Sequence, residues 1–347
     1  MKNVQLPLSL YLIFCTVFSL QGQDMRKDSL TISGSVDTYY TYDFSGQNNI
    51  QTSFADDRNS VSIGMIDIAL SQTLGKASFV GELAFGPRSF KSIPVFDLGD
   101  GDEAIVGIQN LYISYAFNDV LTLTAGYMGT FVGYEVISPA GNFNYSTSYL
   151  FTNGPFQNSG LKADITINEN FAIMVGVFDD WNVYSDENGV SDFGAQIFLQ
   201  PLPGWSVYLN LVTGSPSGTI LDFTTGFQFS EKFYLGLNAA DYSVSGTNTG
   251  GYQGVAIYPQ FSFNEHFSIG LREELFQVKP LESEIGTRML EPERFISSTI
   301  TANYTHNNFR FIGEVRLDNS DESTFMDANE KAVSKASQVT LAAVYSF

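Results

Sequence analysis

The sequence predicts an all-β protein, namely an antiparallel transmembrane β-barrel of about sixteen strands, within a range of about fourteen to eighteen. Three observations carry this prediction. Apolar and polar residues alternate along many short segments, the connections between these segments are alternately short and long, and no segment after residue 22 is apolar for long enough to span a membrane as a helix. Short turns at one end and long loops at the other are typical of outer-membrane barrels.

Residues 1–22 are predicted to be a signal peptide that is removed, which leaves residues 23–347 as one barrel domain. Lys2 supplies a positive charge, and Leu6 to Leu20 is an apolar run of signal-peptide length that polar residues follow at once. A transmembrane anchor is disfavoured because the run is short for spanning a bilayer. The expected location of the mature chain is therefore the outer membrane.

Composition excludes several classes of function. The chain has 30 Phe, 18 Tyr and 31 Gly, and its formal net charge is −20. Acidity on this scale repels nucleic acid, so no nucleic-acid partner is expected. The single cysteine, Cys15, lies in the predicted signal peptide, so the mature chain should hold no disulfide, thiolate metal site or cysteine nucleophile. No cofactor is expected.

The first segment, residues 30–40, illustrates the alternation. Its apolar positions are Leu30, Ile32, Val36 and Tyr40, and its polar positions are Thr31, Ser33, Ser35, Asp37 and Tyr39. A period of two is that of a β-strand with one apolar and one polar face. The pattern recurs at residues 66–71, 79–85, 161–167, 205–211 and 309–318.

The predicted connections fall into two groups that alternate along the chain. The short ones are Gly75-Lys76, Asn118-Asp119, Asn168 to Asn170, Pro201 to Gly204, Ser230 to Lys232, Asn264 to His266 and His306 to Asn308. The longer ones are residues 45–59, 88–103, 131–158, 182–190, 243–250, 279–293 and 320–335, with 214–218 as a short exception. A soluble sandwich has no reason to sort its loops in this way.

The final segment supports the barrel and indicates partners. Val339, Leu341, Ala343, Tyr345 and Phe347 alternate with the remaining residues, and Phe347 is the last of the sequence. A final strand with a terminal aromatic residue resembles the signal that the barrel-assembly machinery of the outer membrane recognises. That machinery, outer-membrane lipid and lipopolysaccharide are the expected partners, and a homotrimer is left open.

The third long connection, residues 131–158, is predicted to be an ordered loop. Loops of this length are usually functional or disordered, and its many aromatic residues argue against disorder. Its segments GYEV (residues 133–136) and NFNYSTS (residues 142–148), followed by Gly160, resemble the central block of the OmpL-like β-barrel porins. The resemblance extends from about Leu30 to Phe347. It implies an outer-membrane diffusion channel and brings no catalytic residues and no defined substrate.

The predicted function is therefore a porin that lets small polar solutes or ions diffuse passively. The candidate pore-lining residues are Tyr134, Glu135, Asn142, Asn144 and Tyr145 in the loop, with Arg272, Glu274, Arg310, Glu314 and Arg316 on two late strands. The loop would form one wall of a constriction, and the arginines with their carboxylates would form the opposite wall and set a transverse field. Two alternatives are that the loop caps the barrel outside and that the charges only neutralise one another in the lumen.

Other functions have weaker support. A surface adhesion or structural barrel with a blocked lumen and a transporter of hydrophobic molecules are the alternatives, and the polar inward faces disfavour the transporter. An enzyme is not expected, because the two histidines, His266 and His306, lie in short turns and no G-x-S-x-G motif occurs. Asp97, Asp100, Asp102 and Glu103 could hold Ca²⁺, but a solvated acidic loop is the favoured interpretation and no metal is expected.

Overall fold

The computed structural model describes residues 29–52, 54–94, 106–247, 249–282 and 288–347. Its strands, in chain order, are β1 (Thr31–Asp43), β2 (Val61–Leu74), β3 (Ala77–Phe85), β4 (Val106–Ala116), β5 (Leu121–Gly129), β6 (Gln157–Asn168), β7 (Phe171–Phe178), β8 (Asp192–Leu202), β9 (Trp205–Gly214), β10 (Gly218–Gln228), β11 (Phe233–Ser243), β12 (Tyr252–Ser262), β13 (Phe267–Val278), β14 (Leu281–Glu282), β15 (Arg288–Leu290), β16 (Glu293–His306), β17 (Phe309–Ser320), β18 (Phe325–Met326), β19 (Ala332–Val333) and β20 (Lys335–Ser346). The helices are α1 (Pro87–Phe90) and α2 (Tyr149–Asn153), with a 3-10 turn at Pro139–Gly141.

Sixteen of these strands form one closed antiparallel barrel, as predicted. The other four, β14 with β15 and β18 with β19, form small hairpins within two of the predicted long loops. The barrel closes where β1 pairs with β20, in a register that runs from Ser35 opposite Ser346 to Asp43 opposite Gln338. Closure gives every strand two hydrogen-bonded neighbours, which is what a sheet needs in a hydrocarbon environment without water.

Among the described residues, none of the helices has the length and apolar character needed to cross a membrane.

The two faces of each strand differ in burial as the alternation predicts. In β1, Ser35 is 1% exposed and Asp37 is 3% exposed, whereas Ile32 is 59% exposed and Val36 is 41% exposed. The polar residues therefore point into the barrel and the apolar residues point outward. This arrangement suits a wall with lipid outside and water or polar groups inside.

The two ends of the barrel differ in their connections. The short turns lie at the end that holds the C-terminus, where the Phe347 N–H donates to the Gly34 carbonyl at 3.0 Å and the Ser346 N–H donates to the Asn308 carbonyl at 3.0 Å. Exposed aromatic side chains surround this end, among them Tyr115, Phe117, Phe229, Phe263, Tyr304 and Phe309. Such a girdle is typical of the interface between lipid and water.

The third long connection is shorter than the sequence indicates. Gln157 and Asn158, assigned to the loop by sequence, are the first residues of β6 and pair with Gly129 and Met128 of β5. The strand start was missed because two neighbouring polar residues after an aromatic one show no alternation. Both side chains are polar, yet both are almost fully buried inside the barrel. The start of this strand therefore has no apolar face that the sequence pattern could indicate.

The interior at the long-loop end is packed rather than empty. One buried cluster joins Ile50 from the first long connection, Leu150 from the third and Phe325 from the last with the inward side chains of Tyr252 and Phe276. Long loops therefore fold towards the barrel axis and share a hydrophobic core with the inner wall.

Candidate functional site: a loop held across the lumen

The chain between β5 and β6 lies inside the barrel; we name residues 130–156 the lumen loop. Its backbone reaches strands on the far side of the barrel. The Glu314 carboxylate on β17 accepts hydrogen bonds from the N–H groups of residues 145–146 at 2.9 and 3.2 Å. The Glu274 carboxylate on β13 accepts from the N–H groups of residues 149–150 at 2.9 and 2.8 Å. The loop is therefore fixed to the inner wall.

The arginines of the inner wall donate hydrogen bonds to carbonyl groups of the same loop. Arg272, Arg310 and Arg316 donate to the carbonyl oxygens of Ser146, Asn142 and Thr147 at 2.6, 2.8 and 2.7 Å respectively. Buried backbone without a sheet partner must find other hydrogen bonds, since an unpaired polar group is costly. Here the wall carboxylates accept hydrogen bonds from the loop N–H groups, and the wall guanidinium groups donate hydrogen bonds to the loop carbonyls.

A buried ion pair joins the lumen loop to β13. The Arg272 Nη1 lies 2.8 Å from the Glu135 Oε1, and the two side chains are 0% and 3% exposed. The other oxygen of Glu135 accepts from the Ser148 N–H at 2.8 Å and from the Ser148 hydroxyl at 2.5 Å. The Arg272 Nη2 also donates to the hydroxyls of Ser146 and Thr299, both at 3.2 Å, whereas its Nε has no hydrogen-bond partner among the described residues. A buried pair is tolerated when such further hydrogen bonds support it.

A second buried pair lies on β17. The Arg316 guanidinium donates from Nε and Nη2 to the two carboxylate oxygens of Asp318 at 2.9 and 3.0 Å, and both side chains are fully buried. The Tyr149 hydroxyl donates to Asp318 at 2.7 Å, and the Arg316 Nη1 donates to the Thr52 hydroxyl at 2.9 Å. This pair therefore ties together the lumen loop, the first long connection and the wall.

The loop tyrosines act as neutral hydrogen-bond donors. The Tyr145 hydroxyl donates to the Asp37 carboxylate on β1 at 2.5 Å. Burial raises the pKa of Tyr145 and of Tyr149 well above the usual value for tyrosine, and the neighbouring carboxylates of Asp37 and Asp318 raise it further. Both phenols therefore keep their protons, and their bonds to the wall persist, through the physiological pH range.

The remaining predicted loop residues have separate contacts. The Tyr134 ring stacks on the Tyr258 ring of β12 with centroids 4.2 Å apart. The Asn142 side chain bonds both backbone groups of Val136, at 2.6 and 2.9 Å, and so braces the loop against itself. The Asn144 amide donates to the Thr301 hydroxyl of β16 at 2.7 Å. Arg310 also donates to the carbonyl of Pro139.

The structure brings the two predicted walls into direct contact. The sequence predicts a gap between the loop residues and the arginines, whereas Arg272 and Arg316 are 0% exposed and donate hydrogen bonds to the loop. The predicted gap is absent because the loop backbone forms its hydrogen bonds with the charged side chains of the wall. The spacing of residues along the strands does not reveal this requirement. The alternative of a network that satisfies buried charge describes the geometry at these two arginines.

Sequence reasoning missed Arg88. This residue of α1 donates from Nε to the Ile137 carbonyl of the lumen loop at 2.7 Å, and its guanidinium lies 4.2 Å from the centroid of the Phe54 ring. The residue is 3% exposed. No sequence signal separates it from a solvated arginine in a loop, since its position depends on how three long connections pack together.

Sequence reasoning also missed a set of glycines that seat the loop. Gly194, Gly236, Gly254 and Gly270 face the lumen on β8, β11, β12 and β13, and a Cβ at these positions would press against Phe131, Tyr134, Leu150 and Phe143 respectively. Glycine inside a strand often marks a place where another part of the chain approaches closely. Inward-facing glycines within strands are therefore a sequence signal for the seat of this loop.

Several polar side chains of the wall formed by β3 to β6 remain partly exposed, in contrast to the buried Gln157 and Asn158 at the start of β6. Glu82, Tyr112 and Ser114 face inward and are half-buried. Lys162 and Asp164 on β6 form an ion pair of 3.1 Å, and their side chains are 21% and 19% exposed. The lumen loop therefore covers the β13–β17 side of the lumen more completely than the β3–β6 side.

No metal site is found in the part of the chain that the structure describes, where no three or more His, Cys, Asp or Glu residues come together as a metal would need. The four acidic residues proposed for Ca²⁺, Asp97, Asp100, Asp102 and Glu103, lie outside the described residues. The two histidine rings lie 6.0 Å apart at the short-turn end, remote from the lumen loop.

The chain forms a closed barrel with an apolar outer face, a polar interior and a loop inside the lumen. This is the architecture of outer-membrane β-barrels. Residues 29–347 match the model of the family described as "Putative beta-barrel porin-2, OmpL-like". The chain belongs to this family and is a β-barrel porin of the outer membrane, as the resemblance seen in the sequence implied. No curated protein matches the chain.

Several solved structures share the fold. The outer membrane channel DcaP of Acinetobacter baumannii matches with a TM-score of 0.60 at 12% identity, over 94% of this chain and 99% of that chain. The anion-selective porin from Comamonas acidovorans matches with a TM-score of 0.58 at 11% identity, over 92% and 99%. OmpT of Vibrio cholerae in its trimer form matches with a TM-score of 0.57 at 11% identity, over 92% and 99%. At these identities the likeness concerns the fold.

Proposed function

We propose that this porin is a passive channel through which small polar solutes or ions diffuse across the outer membrane. The observation that carries the proposal is the uneven cover of the lumen: the lumen loop is fixed to the β13–β17 wall, while polar side chains of β3–β6 stay partly exposed inside the barrel. A passage lined by these side chains would be wet and polar, which suits hydrophilic solutes. Passive passage needs no catalytic residue, and no enzymatic role is proposed.

The test is single-channel conductance of refolded residues 23–347 in a planar bilayer with a salt gradient across it. Steady openings above the bare-bilayer current are expected, and the reversal potential then gives the ion preference. A control is the same protein kept unfolded in urea, which should give no steps. A protein with the circular dichroism of a folded β-barrel that stays silent would contradict the proposal.

A second candidate, a barrel with a closed lumen and a role at the cell surface, is favoured by one observation. The buried cluster that includes Ile50, Leu150 and Phe325 shows that three long loops pack into the interior. A silent but folded barrel would favour this candidate, and the exposed long loops would then be the surfaces to test for binding.

We further infer that residues 1–22 are removed during export, that the assembly machinery recognises the strand ending at Phe347, and that lipid and lipopolysaccharide surround the barrel. The N-terminal sequence of the protein purified from outer membranes tests the first of these inferences. A homotrimer is proposed because OmpT of Vibrio cholerae, a structural neighbour, is described in a trimer form.

A further inference from the structure

The inward faces of the barrel divide the charged side chains into two groups. On β13 and β17 most of them are buried beneath the lumen loop, since Arg272 and Arg316 are 0% exposed and Glu274 and Glu314 are 1% and 2% exposed. On the β3–β6 wall they stay partly exposed: Glu82 on β3 is half-buried, and the side chains of Lys162 and Asp164 on β6 are 21% and 19% exposed. A solute inside the barrel meets the second group directly and is shielded from the first by the loop.

The pair on β6 stands among uncharged neighbours. Lys162 lies between Thr124 of β5 and Gly176 of β7, and Asp164 lies between Thr122 of β5 and Met174 of β7. The Lys162 Nζ donates to the Asp164 Oδ1 at 3.1 Å across one residue of the same strand. The two charges therefore set the local potential of this part of the wall without a third charged side chain on the adjoining strands.

We propose that Lys162 and Asp164 form the charged edge of the passage and set the ion preference of the channel, in place of the arginines on the opposite wall. This inference rests on the proposed channel function. An ion that passes close to one unpaired charge is attracted or repelled even in a water-filled setting, and more strongly where water is restricted. The pair holds both signs side by side, so removal of either charge leaves the other to act alone.

The first test compares reversal potentials of single-charge variants at about 0.1 M salt, where the screening length is about 10 Å. Asp164→Asn should shift the permeability ratio towards anions by about threefold, and Lys162→Gln should shift it towards cations by about the same factor. The matched controls are Asp119→Asn and Lys232→Gln, which remove the same charges from exposed turns at the barrel end. These controls should leave the ratio unchanged.

The outcomes separate this inference from the channel itself. A conducting wild-type protein whose reversal potential does not change in Asp164→Asn and Lys162→Gln would overturn the inference and leave the channel function standing. A wild-type barrel that is folded and silent would overturn both. Opposite shifts of the two variants, with unchanged controls, would support the inference.

A second measurement needs no current and remains informative if a charge variant folds poorly. Cys15 is the only cysteine of the sequence, so protein that consists of residues 23–347 has none. A single thiol can therefore be introduced at a chosen position. Lys162→Cys should react quickly with a charged, water-soluble thiol reagent in folded protein. Thr299→Cys, at an inward position that is 0% exposed beneath the lumen loop, should react at least about tenfold more slowly. Equal rates would contradict the division of the lumen on which the inference depends.

Discussion

At the scale of single residues, the charged side chains of the inner wall serve as hydrogen-bond partners for a backbone that has no sheet. Glu274 and Glu314 accept from loop N–H groups, and Arg272 donates to a loop carbonyl as well as to Glu135. Each of these four buried charges is thus compensated by a counter-charge, by peptide dipoles or by both. The removal of one partner should cost much more than the removal of both, because a lone buried charge has no water to stabilise it.

The Arg272–Glu135 pair tests this account through a double-mutant cycle. Arg272→Gln and Glu135→Gln should each lower the free energy of unfolding by about 3–5 kcal/mol, since each leaves one uncompensated charge. The double variant should lose less than the sum, with a coupling energy of about 1–3 kcal/mol. Urea unfolding of the protein in lipid vesicles measures all four states.

The partly exposed pair on β6 supplies the control. The same cycle on Lys162→Gln and Asp164→Asn should give a coupling energy below about 1 kcal/mol, because water screens the exposed charges. If the coupling energy of the Arg272–Glu135 pair were no larger than that of the Lys162–Asp164 pair, ion pairing would not be what holds the loop to the wall.

Much of this detail was within reach of the sequence, but the pairing was not. Alternation identifies Arg272, Glu274 and Arg316 as inward residues, and the loop composition singles out Glu135. Which inward residue meets which loop residue depends on the path of the loop through space. Irregular backbone has no repeating period from which such a path could be inferred.

At the scale of elements, the strands and the lumen loop are specified in different ways. Each strand is set by a period of two, so its face and its neighbours follow from local sequence once the turns are placed. The loop is set by contacts far apart in sequence, such as the bond from Tyr145 to Asp37. The interior glycines connect the two kinds of element, because they provide the space into which the loop side chains fit.

Gly270 tests the fit between loop and wall. A Cβ at this inward position would overlap the ring of Phe143, so Gly270→Ala should displace the loop and lower the free energy of unfolding by about 1–3 kcal/mol. The matched control is Gly313→Ala, where the nearest atom to the new Cβ lies 3.9 Å away on Leu341. Unfolding by urea should show a loss for the first variant and little change for the second.

A compensating variant makes the comparison specific. Phe143→Ala in the Gly270→Ala background removes the ring that the new methyl group meets, and it should make Gly270→Ala less harmful than it is in the wild-type background. The absence of any such relief would show that the ring and the glycine do not touch.

At the scale of the whole molecule, the barrel wall and the lumen loop have different roles. The closed wall satisfies its backbone hydrogen bonds and presents apolar side chains outward, which fits it to a membrane whatever lies inside. The lumen loop divides the interior into a packed side along β13–β17 and a less covered side along β3–β6. The wall could be predicted from the sequence almost in full, but this asymmetry could not, because it follows from the path of one irregular segment.

The central claim is that the lumen loop narrows an open pore, and single-channel conductance with and without the loop tests it most directly. Deletion of residues 136–149, joined by a short glycine linker, removes the segment bonded to Arg272, Glu314 and Arg316. The account predicts that the wild-type channel conducts and that the deletion variant conducts several times more, by about the ratio of the pore cross-sections. Two folded barrels of equal conductance would contradict the account, because the loop would then not limit the passage.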